Sequence, residues 1–346
     1  MKKYNNPVQC INEKSSKTVR HLWIDLGKAL SITLVVYRHC PPNEFQLISS
    51  LPLFFFMSGL IFSFDKYNSF LNFLKHRSKQ LLVPYFSFFA IFYLYWLIIG
   101  RSMSSTEEQA MQWYQPLLEY LYGRPESVCL PLWFVSCLFA MQMLFYLFKN
   151  IPRNFAVIVL LSLPFLNCII DLSNSPWMLD GVCEYFPFYG ICLFKKEIFS
   201  LLENGKKYVI CSILLVISIL SFWFSANISN EYLKTLSVLI YRLTMLLPFA
   251  LIMKILTDKF GLHRLIKHLV TNTVIILAFH TYFIRIFDIF VHQILNIGTD
   301  TYEGNFLLKI GMTISIMILI YIPIYVINRY LPFMIGKRYL SKNKSK

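Results

Sequence analysis

Charge is scarce in this 346-residue chain. Lys, Arg, Asp and Glu make up 15% of it, against about a quarter in soluble proteins, and acids are the scarcer kind, 18 against 33 bases. Hydrophobic residues reach 56%, with 32 Phe and 21 Tyr, and the mean hydropathy is +0.54. No soluble core absorbs that much apolar surface, so an ordinary globule is excluded. Glycine is limited to 12 residues and forms no phosphate-binding loop. The eight Cys show neither C-x-x-C nor a His/Cys ligand spacing, and most fall in apolar runs, where Cys acts as a small hydrophobe. Neither a disulfide framework nor a metal site is therefore expected. Internal repeats and low-complexity stretches are also missing. What remains is an all-α polytopic transmembrane helical bundle.

Apolar stretches of spanning length fall near 22–39, 47–64, 81–99, 130–148, 154–171, 183–194, 208–226, 236–256, 269–292 and 306–327, which predicts about ten spans. The sixth holds Pro187 and Gly190 and is too short for a regular crossing, so a broken or tilted helix is expected there. The domain reading is correspondingly simple: a tail over 1–21, a membrane domain over 22–327 and a basic tail over 328–346. The first span lacks a small-residue cleavage site and reads as a retained helix.

Basic residues sort by side. Twenty-five of the 33 Lys and Arg lie in the two tails and on every second connection, and only Arg101, Arg124 and Lys234 lie on the others. That bias predicts both termini in the cytoplasm. It also accounts for the net charge of +15 without nucleic acid, because the bases flank spans instead of forming one stripe.

The first span carries Asp25, Lys28 and His39. At 100° per residue, Lys28 and His39 differ by about 20° around the axis, with Asp25 about 40° to the other side of His39. Ionisable groups in a membrane helix are costly enough to face an interior cavity. About 16 Å of helix separates Lys28 from His39, and Pro41-Pro42 stops the helix beyond His39, near the outer surface. Asp25 and Lys28 can neutralise each other at i,i+3. His39 has no carboxylate neighbour in this segment and exchanges a proton near neutral pH, as a general base requires. A structural staple plus a satisfied interfacial histidine is the competing reading.

These residues resemble the first span of the acyltransferase-3 family of integral membrane acyltransferases, in particular its fucose 4-O-acetylase-like group. That family opens with an Asp, a basic residue, ten intervening residues and a His; Lys28 stands where many members have Arg. Pro52-Leu53-Phe54-Phe55-Phe56-Met57-Ser58-Gly59, the stretch from Arg77 to Pro84-Tyr85, and Leu130-Pro131-Leu132-Trp133-Phe134 resemble further family segments. The resemblance implies catalysis by His39 with Asp25 and Lys28. It also implies a cytoplasmic acyl-CoA donor, acetyl-CoA above all, whose phosphates the cluster Lys75, Arg77 and Lys79 would hold.

Other candidates are open to two readings each. Ser58-Gly59 suits close helix approach or a backbone opening near the donor. Without the resemblance, Lys75, Arg77 and Lys79 only satisfy the positive-inside rule. Trp133 suits an aromatic belt or stacking on substrate. Arg242, His280 and Arg285 are intramembrane polar groups and suit an acceptor vestibule, although Arg285 and Asp288 at i,i+3 can simply pair. The expectation is thus an O-acetyltransferase of a bacterial cytoplasmic membrane, acting on a sugar hydroxyl of a surface polysaccharide or its lipid-linked precursor. Membrane lipid, acyl-CoA and the glycan are its expected partners, no metal is called for, and the oligomeric state is left open. The alternative is a secondary transporter of glycan intermediates, which would predict correspondence between the two halves; none is found.

Overall fold

The computed structural model describes residues 21–40, 49–103, 111–260, 263–291 and 306–337. Most of the N-terminal tail, Pro41-Pro42 and the basic C-terminal end beyond Lys337 lie outside the described residues. Within them every regular element is helical. The helices are α1 (Leu22–His39), α2 (Ser50–Leu60), α3 (Phe70–Gly100), α4 (Gln115–Leu121), α5 (Glu126–Asn150), α6 (Arg153–Ile169) and α7 (Leu179–Gly190). They continue with α8 (Lys195–Glu203), α9 (Lys207–Asn227), α10 (Glu231–Phe260), α11 (His263–Thr271), α12 (Thr273–Ile289) and α13 (Phe306–Tyr330).

All ten apolar stretches fall on helices, but not all are full-length crossings. Among the described residues α3, α5, α9, α10 and α13 are long and apolar enough to span a bilayer, and α11 with α12, bent by 77°, adds a sixth, so five or six of the ten expected spans are full-length crossings by length and composition. α1 has 18 residues but carries Asp25, Lys28 and Arg38. α6 has 17 residues, α7 has 12 and α2 has 11. At 1.5 Å per residue the last two reach only about 17–18 Å, against a hydrocarbon core of about 30 Å.

Their surroundings explain the shortfall. Every residue of α2 except Leu51 is buried, and α7 is buried along most of its length. A helix wrapped in protein need not match the lipid thickness. α9 is the opposite case: Val209, Ile213, Val216, Leu220 and Trp223 stand exposed on an apolar surface that suits lipid. Hydropathy scores both kinds alike.

Small residues set the central spacing. A Cβ on Gly27 would come within 2.6 Å of the Met57 Cε, and one on Gly59 would run into the Tyr189 carbonyl oxygen. α2 is therefore clamped between α1 and α7, the close-approach reading of Ser58-Gly59. Tyr85 on α3 and Tyr120 on α4 stack at 4.1 Å, and each hydroxyl donates to the other's carbonyl, at 3.0 and 2.7 Å. Nearby, Arg124 donates to Asp180 at 3.1 Å and to the Ser175 carbonyl at 3.1 Å. Trp177 and Met178 take left-handed φ values of 54° and 56°, a costly turn for non-glycine residues, where the chain starts α7. The Trp177 N–H donates to the Tyr122 carbonyl at 2.8 Å, which helps hold that turn.

The bend between α11 and α12 is held by amides. Asn272 donates to the His268 carbonyl at 2.7 Å and accepts from Asn328 of α13 at 2.7 Å. Lys337 in turn donates to the Asn328 oxygen at 2.8 Å.

Candidate functional site

α1 ends at His39 because Cys40 turns extended, with φ −75° and ψ 134°, while its N–H still reaches the Tyr37 and Val36 carbonyls. That termination leaves the imidazole of His39 at the helix end, beside α12. The His39 and His280 rings lie 5.0 Å apart. His280 is 0% exposed, and its Nδ1 lies 2.8 Å from the Leu277 carbonyl and 3.2 Å from that of Ile276. A carbonyl only accepts, so Nδ1 carries the hydrogen, and in the neutral ring Nε2 is then the acceptor. That Nε2 is buried without a hydrogen-bond partner.

His39 opens onto a cavity of about 240 Å3. Val35 and Arg38 line it from α1, Ser50 and Leu51 from α2, Pro131, Trp133 and Phe134 from α5, Tyr185 from α7 and Leu277 from α12. The walls are mostly apolar and aromatic, with few polar groups, as in small-molecule sites generally. The Ser50 hydroxyl is buried and, like His280 Nε2, has no partner. Two orphaned polar atoms beside one imidazole are an arrangement that a hydroxyl-bearing ligand or water would complete.

The other end of the stripe differs. Lys28 points its ammonium toward the Phe54 ring at 5.7 Å, and Phe54 meets Phe134 edge-on at 4.9 Å, so one aromatic contact separates Lys28 from the wall of the His39 cavity. Asp25 attracts the Lys28 ammonium by charge and Arg77 repels it. Arg77 comes from α3 just before its π-helical turn at Ser78–Leu82, a register change that re-aims the following residues. Its guanidinium lies 5.8 Å from the Tyr67 ring and 5.7 Å from Phe73, donates to Gln80 at 3.1 Å, and keeps a buried Nε without a partner. Lys75 and Lys79 are exposed nearby in sequence, and Ser58 is buried in α2.

The match to known families decides the class of chemistry. Residues 21–329 match the profile of the acyltransferase-3 family, described as an acyltransferase domain. The chain belongs to that family. No curated protein and no solved structure matches it. The protein is thus a membrane acyltransferase, and its family pattern runs through the helices that enclose His39.

Not every candidate of the acyltransferase lies at the His39 cavity. His280 and Trp133 do, His280 as the buried neighbour and Trp133 on the lining. Arg242 lines a separate cavity, where it donates to Glu184 at 2.6 Å. Arg285 is exposed further along α12 and reaches neither. Ser50, Tyr185 and Arg38 were not picked out by sequence reasoning. Ser50 reads as a helix-start residue and Tyr185 as one more aromatic in a run; only Arg38, charged and next to His39, carried a usable signal.

Proposed function

We propose that this acyltransferase moves an acyl group, acetyl above all, from cytoplasmic acyl-CoA to a sugar hydroxyl of a surface polysaccharide or its lipid-linked precursor in a bacterial cytoplasmic membrane. The observation that carries the reading is the pair of imidazoles at 5.0 Å, one buried with an unfilled acceptor and one open to an aromatic cavity. In the direct route His39 takes the proton of the acceptor hydroxyl as its oxygen attacks the thioester carbonyl carbon. The carbon–sulfur bond breaks, and the CoA thiolate leaves with the proton that His39 collected. His280, held as an acceptor by Leu277, receives the second N–H of the His39 imidazolium and steadies its charge. In the relay route a His39 nitrogen attacks the thioester carbonyl carbon and CoA leaves as its thiolate; the hydroxyl then attacks the acyl-imidazole, the carbon–nitrogen bond breaks, and the hydroxyl proton passes to the released ring or the thiolate.

Donor and acceptor meet the protein at different ends. Arg77 with Lys75 and Lys79 suits the donor phosphates, since Arg offers a planar fork and Lys a point charge. Lys28 sits between that cluster and the cavity, where it lines the passage and steadies the donor. Trp133, Tyr185 and Phe134 offer flat apolar faces for a sugar ring. Membranes with and without the protein should differ in label transferred from radioactive acetyl-CoA to surface glycan; equal labelling in both would remove the assignment.

A further inference from the structure

A second cavity, of about 340 Å3, lies between α6, α7 and α10. Its polar lining is Asn167, Glu184, Glu231, Lys234, Thr235 and Arg242. Glu231, Lys234, Thr235 and Arg242 recur at helical spacing and form one stripe down α10, which covers about 16 Å of rise. Its deep end is the Glu184–Arg242 pair at 2.6 Å, and the Arg242 Nε there is buried without a partner.

The stripe ends against the His39 cavity. Glu184 lines the groove and the adjacent Tyr185 lines the other side, with the Arg242 guanidinium 6.0 Å from the Tyr185 ring. A single residue's width thus parts the two spaces. Charge on the groove lining cancels, two carboxylates against two cations, and its deepest cation is already neutralised. That balance disfavours an anionic ligand. An acyl chain would meet only the apolar part of the lining, Pro164, Phe188, Val238 and Leu239, and would leave the buried Arg242 Nε without a partner. Uncharged hydroxyls, which both donate and accept, match carboxylates, ammonium, amide and Thr235 together.

We propose that this groove is a second glycosyl subsite, which holds an uncharged sugar residue next to the one whose hydroxyl reacts at His39. The acceptor is therefore an oligosaccharide and not a single sugar. The inference rests on the acyltransferase reading and narrows its substrate. At 340 Å3 the space is near the lower end of ligand sites, room for one glycosyl unit.

Cys168 allows a test that does not depend on turnover. It lines the groove, with its sulfur 3.3 Å from the Thr235 hydroxyl oxygen. Full-length protein in membranes is alkylated with a maleimide, and the Cys168 peptide is followed by mass spectrometry. The probes are the neutral and the acidic oligosaccharide fractions released from the host's surface glycan. The neutral fraction, at about ten times its dissociation constant, should slow alkylation about ten-fold, and Glu184→Gln should remove most of that protection. Should Cys168 resist the reagent, Thr235→Cys puts a thiol in the same groove from α10. Resistance at both positions, protection by the acidic fraction alone, or no protection would each overturn the subsite. Where protection fails in membranes that still transfer labelled acetyl groups, the subsite falls and the acyltransferase reading stands; protection without any transfer separates the two the other way.

Discussion

The two ends of α1 solve different problems with the same kind of material. At the Lys28 end the polar groups are charged: Asp25 and Arg77 both act on the ammonium, and an aromatic face lies beside it. At the His39 end the neighbour is another imidazole, His280, tied to a backbone carbonyl, and the cavity beside His39 is walled by Trp133, Phe134 and Tyr185. An ammonium group is suited to hold an anionic donor, and an imidazole to take up and return a proton near neutral pH. On the proposed function, donor binding and chemistry lie about 16 Å apart along one helix, a distance that the acyl group has to cover.

The comparison breaks most sharply at the imidazole. His39→Ala should lower the transfer rate about a thousand-fold, with protein level and membrane insertion near those of the parent; a variant at full rate would strip His39 of its role. Next in size is His280→Leu, expected to cost about a hundred-fold through loss of a hydrogen bond to a charged partner. His280→Gln, which keeps an acceptor, should recover part of it. Both changes should act on kcat more than on the Michaelis constant for acyl-CoA, and an effect confined to that constant would put His280 with the donor.

The cationic end should respond differently. Arg77→Glu should raise the Michaelis constant for acyl-CoA about ten-fold with a much smaller effect on the acceptor's, and an unmoved donor constant would reduce Arg77 to a topological charge. Lys28→Ala should cost less than the His39 change, and Lys28→Arg less again because the charge survives. If Ala and Arg at this position behave alike, the ammonium serves packing only.

Much of this was legible in the sequence, though unevenly. The limits of α1 follow from its apolar run and the prolines after Cys40, and the shared face of Asp25, Lys28 and His39 follows from helical periodicity. The sixth stretch read as too short for a regular crossing, with Pro187 and Gly190 marking a break, and α7 has 12 residues and ends at Gly190. The count of full crossings was not legible, since α2 and α7 are apolar for the sake of protein neighbours and not lipid. His280 stood out as an intramembrane polar group, but nothing local says that it faces His39, 241 positions earlier. Arg242 was visible and its partner Glu184, 58 positions away, was not. Pairings across helices depend on how the bundle closes, and a single sequence does not display that.

The travel of the acyl group is best measured in sealed vesicles with the protein in one orientation. Labelled acetyl-CoA is supplied only to the face that carries Arg77, and glycan only to the opposite compartment. The account predicts labelled glycan in that opposite compartment, lost in His39→Ala. Labelling that requires donor and glycan on the same face would contradict it.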